Sequence, residues 1–132
     1  MGTYLCFEVM MPLEYRTGRA NERVDLLTYD TNSIWRFYEL KISKSDFHSK
    51  AKKTFLGHFN YFVMPVKLYD EVKDEIPEGI GCYVASENSC WCIKKAKRKE
   101  LQIDEDKLKF SFIQSLSRQH AKYMTYLKYK DK

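Results

Sequence analysis

Arg23-Val24-Asp25-Leu26-Leu27-Thr28-Tyr29, then Asp30-Thr31-Asn32-Ser33, then Ile34-Trp35-Arg36-Phe37-Tyr38-Glu39-Leu40-Lys41-Ile42, is the stretch on which the fold turns. Its two arms are rich in β-branched and aromatic residues, and the residues between them are turn formers, which predicts a β-hairpin. Side chains alternate faces along a strand, so Glu39 and Lys41 share a face whatever the pairing. If the loop holds an odd number of residues centred on Asn32, Asp25 falls opposite Glu39 and points the same way. An even loop sends it to the other face. Under the odd register one face carries Arg23, Asp25, Leu27, Tyr29, Trp35, Phe37, Glu39 and Lys41. The other carries Val24, Leu26, Thr28, Ile34, Tyr38, Leu40 and Ile42. Both are largely apolar, which predicts a sheet covered on both sides, an α/β sandwich.

The flanking sequence supplies the remaining elements. Tyr4 to Met11 reads as a first strand whose only charge is Glu8, and Pro12 to Glu22 reads as a loop. After the hairpin, Ser43 to Asp46 offers helix-capping residues, and Phe47, Ala51, Phe55 and Phe59 recur as one face of an amphipathic helix. Asn60 to Val66 is a short apolar run suited to a central strand, expected to run parallel to the Glu39 strand after a helical crossover. A short helix from Leu68 to Ile76 ends at Pro77, and Cys82 to Ala85 with Cys90 to Lys94 forms a second hairpin. From about residue 104 to 129 the pattern is helical, with Ile113, Leu116, His120, Tyr123 and Leu127 as its apolar stripe. That stripe makes His120 a core histidine, while His48 and His58, with no obvious orienting partner for phosphate contact or proton transfer, are read as a surface and a packing residue.

With 132 residues, 44% hydrophobic and 31% charged, the chain is long enough for one domain with one core. No run is apolar enough to span a bilayer, and no signal-peptide pattern opens the sequence, which points to the cytoplasm. A net charge of +5 and a pI near 8.9 favour polyanionic partners weakly. Two clusters sharpen that expectation. Lys41, Lys44, Lys50, Lys52 and Lys53 follow the acidic pair, and Lys94, Lys95, Lys97, Arg98 and Lys99 form a second run. Cys6, Cys82, Cys90 and Cys92 lack zinc-ligand spacing, so they are read as reduced thiols in strands.

Glu-x-Lys is a weak signal by itself, since Glu71-Val72-Lys73 and Glu105-Asp106-Lys107 repeat it in helical segments, where the spacing points the side chains apart. Only Glu39-Leu40-Lys41 lies in a strand beside an aspartate. Two carboxylates can hold Mg²⁺ or Mn²⁺, with the Leu40 carbonyl as a third oxygen ligand. Lys41 would orient the attacking water or stabilise negative charge on a phosphodiester, and Glu8 would assist if its strand pairs beside Asp25. The competing structural interpretation is a cross-strand charge cluster, which burial of so apolar a hairpin disfavours.

Glu8, Asp25, Glu39-x-Lys41, Ser43, Asp46-Phe47 and the apolar run from Asn60 to Pro65 together resemble the PD-(D/E)XK nuclease superfamily. Within it the likeness is to small phage-associated and MmcB-like DNA repair proteins, over residues 6 to 95. The resemblance implies a restriction-endonuclease-like α/β core with a mixed sheet flanked by helices. It also implies a nucleic-acid substrate, Asp25 and Glu39 as metal ligands, Lys41 as catalytic lysine and Glu8 as an accessory acid. The expected partner is DNA, with RNA as the alternative, contacted through Lys44, Lys50, Lys52, Lys53, Lys94, Lys95, Lys97 and Arg98. Two departures stand out: Val24 precedes the aspartate where proline is common, and almost nothing precedes Tyr4 where the superfamily usually has a helix. Either the long C-terminal helix takes that helix's place or the chain is truncated. The sequence leaves monomer and homodimer open. The rival reading is a nucleic-acid-binding or assembly module that keeps the fold without turnover.

Overall fold

A computed structural model of the chain describes residues 2–12, 23–49 and 55–130. Strands β1 (Thr3–Met10), β2 (Arg23–Asp30), β3 (Trp35–Leu40), β4 (Phe59–Pro65), β5 (Gly81–Ala85) and β6 (Cys90–Lys94) form one sheet in sequence order. The helices are α1 (Lys44–Phe47), α2 (Val66–Val72) and α3 (Glu105–Lys130). β3, β4 and β5 are parallel, while β1–β2, β2–β3 and β5–β6 are antiparallel, so the sheet is mixed and the fold is α/β as expected.

The decisive hairpin has the odd register. Leu26 faces Tyr38 and Tyr29 faces Trp35, which centres the loop on Asn32. Asp30 sets that turn. Its Oδ1 accepts the Asn32 and Ile34 amides at 2.9 and 3.2 Å, its carbonyl accepts Ser33 N–H at 2.9 Å, and Ser33 takes φ 63°. A residue in the left-handed region closes a three-residue hairpin loop. The Arg36 guanidinium, 2.9 Å from Oδ2, holds the Asp30 carboxyl below its ordinary range and ties the turn to β3.

One face of the sheet is covered by helices. Trp35, Phe37, Leu27, Cys6 and Val9 pack with Leu108 and Phe112 of α3, and Phe62, Met64, Cys82 and Val84 pack with Leu68 and Val72 of α2. Burying these side chains supplies the main stabilisation, about 1.5–3 kcal/mol for each large one. α3 is anchored at its start, where Glu105 accepts the Trp35 indole N–H at 2.9 Å and Phe112 meets the Trp35 ring edge-on.

The opposite face departs from the sandwich expectation. Leu5, Phe7 and Leu40 are about half exposed there, so among the described residues no helical layer covers that side. Its centre is filled instead by the sheet's own tyrosines: Tyr38 stacks on Tyr61 with centroids 5.3 Å apart, and Tyr61 meets Tyr83 at 5.1 Å. Burial, with the neighbouring tyrosines, pushes the Tyr38 hydroxyl up to about 12. Aromatic rings with a polar tip can line a half-wet surface, which is why an apolar count overstates burial here.

The helix expected from Phe47 through Phe59 is also corrected. α1 is a single turn capped by Ser43, whose hydroxyl accepts Asp46 N–H at 3.1 Å. Phe59 already belongs to β4, with the Arg36 guanidinium over its ring. Ala51 lies outside the described residues. The strand from Asn60 and its parallel pairing with the Glu39 strand are as expected, Glu39 sitting beside Phe62. In α3 the buried positions are Leu108, Ser111, Phe112 and Ser115, whereas Ile113, Leu116, His120 and Tyr123 are exposed. His120 is therefore a surface residue.

Candidate active site

Glu39 near the end of β3 and Lys41 just beyond it continue the line of the core residues Trp35 and Phe37, and are only 7% and 5% exposed. They occupy the carboxyl end of the parallel strands, where ligand crevices of α/β sheets form. Continuing the hairpin register places Asp25 opposite Glu39. At that level the backbone ladder gives way to a side chain: Asp25 Oδ2 accepts the Leu40 N–H at 2.8 Å. The aspartate is thus fastened to the main chain between Glu39 and Lys41. The Leu40 carbonyl projects to the same side of the strand as its N–H, towards β2.

The neighbouring edge is distorted at the same level. Cys6 and Val9 on β1, and Leu27 and Val24 on β2, are all fully buried, so on each strand the inward face shifts by one residue between Glu8 and Val9 or between Asp25 and Val24. Glu8 lies at φ 54°, a left-handed backbone that a glutamate adopts only at some cost. Consequently Val24 and not Arg23 joins the inward face, a correction to strict alternation. The pairs Phe7–Leu26 and Val9–Val24 bracket Glu8 and Asp25, so β1 does pair beside Asp25 with Glu8 at its level, and the Glu8 side chain is exposed.

Lys41 is held from the α1 side. Its Nζ lies 3.5 Å from Ser49 Oγ and 3.9 Å from Asp46 Oδ1, and Asp46 Oδ2 accepts Ile42 N–H at 3.0 Å. Asp46 and Ser49 are the functional candidates that sequence reasoning missed. From the sequence Asp46 was read as a helix-capping residue and as one of the residues carrying the resemblance, with no role in the site given to it.

The basic residues divide. Lys44 is exposed near the site, 3.8 Å from Glu71, whereas Lys50, Lys52 and Lys53 lie outside the described residues. Lys94 closes β6 opposite Cys82, level with Glu39 but three strands away, and residues 95–99 continue from there to the other end of the sheet. Lys99 N–H donates to His58 O and Lys97 N–H to Gly79 O, beside the start of β4 and the Trp35 end of β3, roughly 13 Å of strand rise from Glu39. Lys97 pairs with Glu78 at 3.0 Å, Lys94 donates to Pro77 O, and Lys99 turns inward to Phe55 O at 2.8 Å, where burial lowers its pKa. Lys95 and Arg98 remain exposed. This run therefore does not flank the acids.

The other histidines have partners. His48 Nε2 lies 2.7 Å from Glu75 on the surface, and His58 Nδ1 accepts Trp35 N–H at 3.0 Å, with burial lowering its pKa. All four cysteines are free thiols, Cys6 and Cys82 buried, Cys90 and Cys92 exposed.

The oxygen donors at the Asp25–Glu39 level are two carboxylates and the Leu40 carbonyl, a hard donor set suited to Mg²⁺ or Mn²⁺. Among the described residues no three His, Cys, Asp or Glu side chains are grouped to hold a metal, so a cation here would rely on this pair, the main chain and water. Among them, too, no helix is long and apolar enough to cross a membrane. Neither a family model nor a curated protein matches the sequence. In three dimensions the chain is similar to the SPO1766 protein of unknown function from Silicibacter pomeroyi. The TM-score is 0.66 at 18% identity, over 96% of this chain and 80% of that one. That likeness concerns the fold alone.

Proposed function

We propose that the protein is a metal-dependent nuclease or DNA-processing enzyme of phage or mobile-element type, acting on DNA, with RNA the alternative, in the cytoplasm. The observation that carries this reading is the Asp25 carboxylate fastened at the main chain between Glu39 and Lys41, two charged residues buried at the carboxyl end of a parallel strand. Burying a carboxylate and an ammonium at a strand end costs desolvation energy that a purely structural pair recovers poorly, whereas a phosphodiesterase needs both signs of charge together.

In this reading Asp25, Glu39 and the Leu40 carbonyl would hold Mg²⁺ or Mn²⁺, which supplies an acidified water and charge neutralisation at the phosphate. Lys41 presents its ammonium, oriented by Asp46 and Ser49, towards the phosphate oxygen on which negative charge builds. Glu8, on the neighbouring strand, is the accessory acid. Leu40 N–H aims the Asp25 carboxylate through a backbone hydrogen bond of 2.8 Å.

The test is cleavage of supercoiled plasmid and of short labelled duplex and single-stranded DNA in Mg²⁺ or Mn²⁺. Activity that disappears in Glu39→Ala and Lys41→Ala, with far-UV circular dichroism intact, is the expected result. Equal cleavage by both variants refutes the assignment. Absence of cleavage in every substrate, with DNA still bound, favours the non-catalytic binding module instead.

A further inference from the structure

From Lys107 to the last described residue α3 contains no aspartate or glutamate, yet it carries Lys107, Lys109, Arg118, Lys122, Lys128 and Lys130. The helix meets the sheet in a definite order: Glu105 and Phe112 touch Trp35, Lys109 lies over Tyr29, and the Gln119 amide donates to Phe7 O. Trp35 and Tyr29 share one level of the sheet, and Phe7 lies nearer the level of Glu8, Asp25 and Glu39. α3 therefore advances towards the candidate site as it crosses to the β1 edge. Beyond Gln119 it continues for about 16 Å at 1.5 Å per residue.

The inward stripe does not stop where the sheet does. Leu108, Phe112, Ser115 and Gln119 are followed at the same three- and four-residue spacing by Lys122, Tyr126 and Tyr129. Tyr126 and Tyr129 are 58% and 67% exposed, and Tyr123 beside them 58%. A stripe that begins as core thus ends as interleaved lysines and exposed tyrosines at the site end of the sheet, with the Lys130 ammonium over the Tyr126 ring. We infer that this half of α3 is a nucleic-acid docking arm, its lysines meeting backbone phosphates and its tyrosines stacking on unpaired bases. Charge selects the occupant: the cationic stretch of α3 from Lys107 on, without an acid among its described residues, fits a polyanion, and aromatic rings set among the cations suit bases more than an acyl phase. The inference deepens the proposed function by adding where the substrate is gripped, on the β1 side of the candidate site, away from the 94–99 run.

The test uses the full chain in EDTA, so that binding is read without turnover. The probes are a short fluorescein-labelled duplex and its single strand, followed by anisotropy over a KCl series. The triple variant Lys122→Glu, Lys128→Glu, Lys130→Glu changes only exposed residues of good helix propensity. It is expected to raise Kd about a hundredfold and to flatten the slope of log affinity against log salt by about one for each phosphate no longer neutralised. Tyr126→Ala with Tyr129→Ala is expected to weaken single-strand binding about tenfold. Unchanged Kd and slope in the triple variant overturn the inference, including the case in which the wild type instead sediments with phosphatidylserine vesicles. The two ideas fail separately. Wild-type DNA binding through the arm without metal-dependent cleavage removes the nuclease reading and keeps the arm. Cleavage with an unaltered salt slope in the triple variant does the reverse.

Discussion

Replacing Lys41 by methionine separates function from stability at the centre of the site. The lysine side chain is 6% exposed and its ammonium lies 3.9 Å from Asp46, whose side chain is 38% exposed. Coulomb attraction at that distance is about 4 kcal/mol at an effective dielectric of about 20. Desolvating an ammonium takes back an amount of similar size, so the pair contributes little net. Methionine fills nearly the same volume and removes the desolvation cost, leaving Asp46 able to reach water. Lys41→Met should therefore unfold in urea within about 1 kcal/mol of wild type, because the Asp46 carboxylate it leaves behind is partly exposed and stays hydrated. Single-turnover cleavage should nevertheless fall roughly a hundred- to a thousandfold, the usual loss when a transition-state charge partner is removed. Activity within about threefold of wild type would refute the role given to Lys41, because the fold and the other site residues are held nearly constant.

Asp46→Asn keeps an oxygen for the Ile42 amide but withdraws the charge facing Lys41. Its single-turnover rate should drop about tenfold with KM unchanged, and Asp46→Glu should recover part of it. Gly57→Ala should destabilise the fold by more than about 2 kcal/mol in urea titrations, because a Cβ would sit 2.5 Å from the Phe37 ring and 2.9 Å from the Trp35 carbonyl. His58 accepts the Trp35 amide through Nδ1, and burial lowers its folded pKa below the ordinary 6.5. The unfolded chain then binds the proton first, so the stability it contributes is present above pH 6.5 and is lost as pH falls from there towards the folded value. Urea midpoints measured across that window should fall in wild type and flatten in His58→Gln.

Much of the architecture was legible because local signals agreed with tertiary ones. Turn chemistry between two alternating arms announced the hairpin while leaving its odd or even register open, and the apolar run from Asn60 announced a central parallel strand. The charged residues at Glu39 and Lys41 were legible for the same reason, since strand periodicity binds them to one face. What escaped was set by neighbours. The α3 interface uses Ser111 and Ser115, small residues that admit close packing on β1 and leave no apolar signature, so the exposed stripe through Ile113 and Tyr123 looked like the core. The open sheet face escaped because tyrosines that stack on each other count as buried in any pattern. The shift of face at Glu8 and Asp25 is a backbone event on two strands at once, invisible to a rule that treats each strand alone. Asp46 was hidden by its second job as an acceptor beside the α1 cap.

Calorimetric titration of Mn²⁺ into wild type, Asp25→Asn and Glu39→Gln reads the pairing of the two carboxylates without any assumption about substrate. One ion bound per wild-type chain, and binding lost or strongly weakened in both variants, is the result expected if they close on a common cation. No heat in the wild type, or the same affinity in all three proteins, would contradict it.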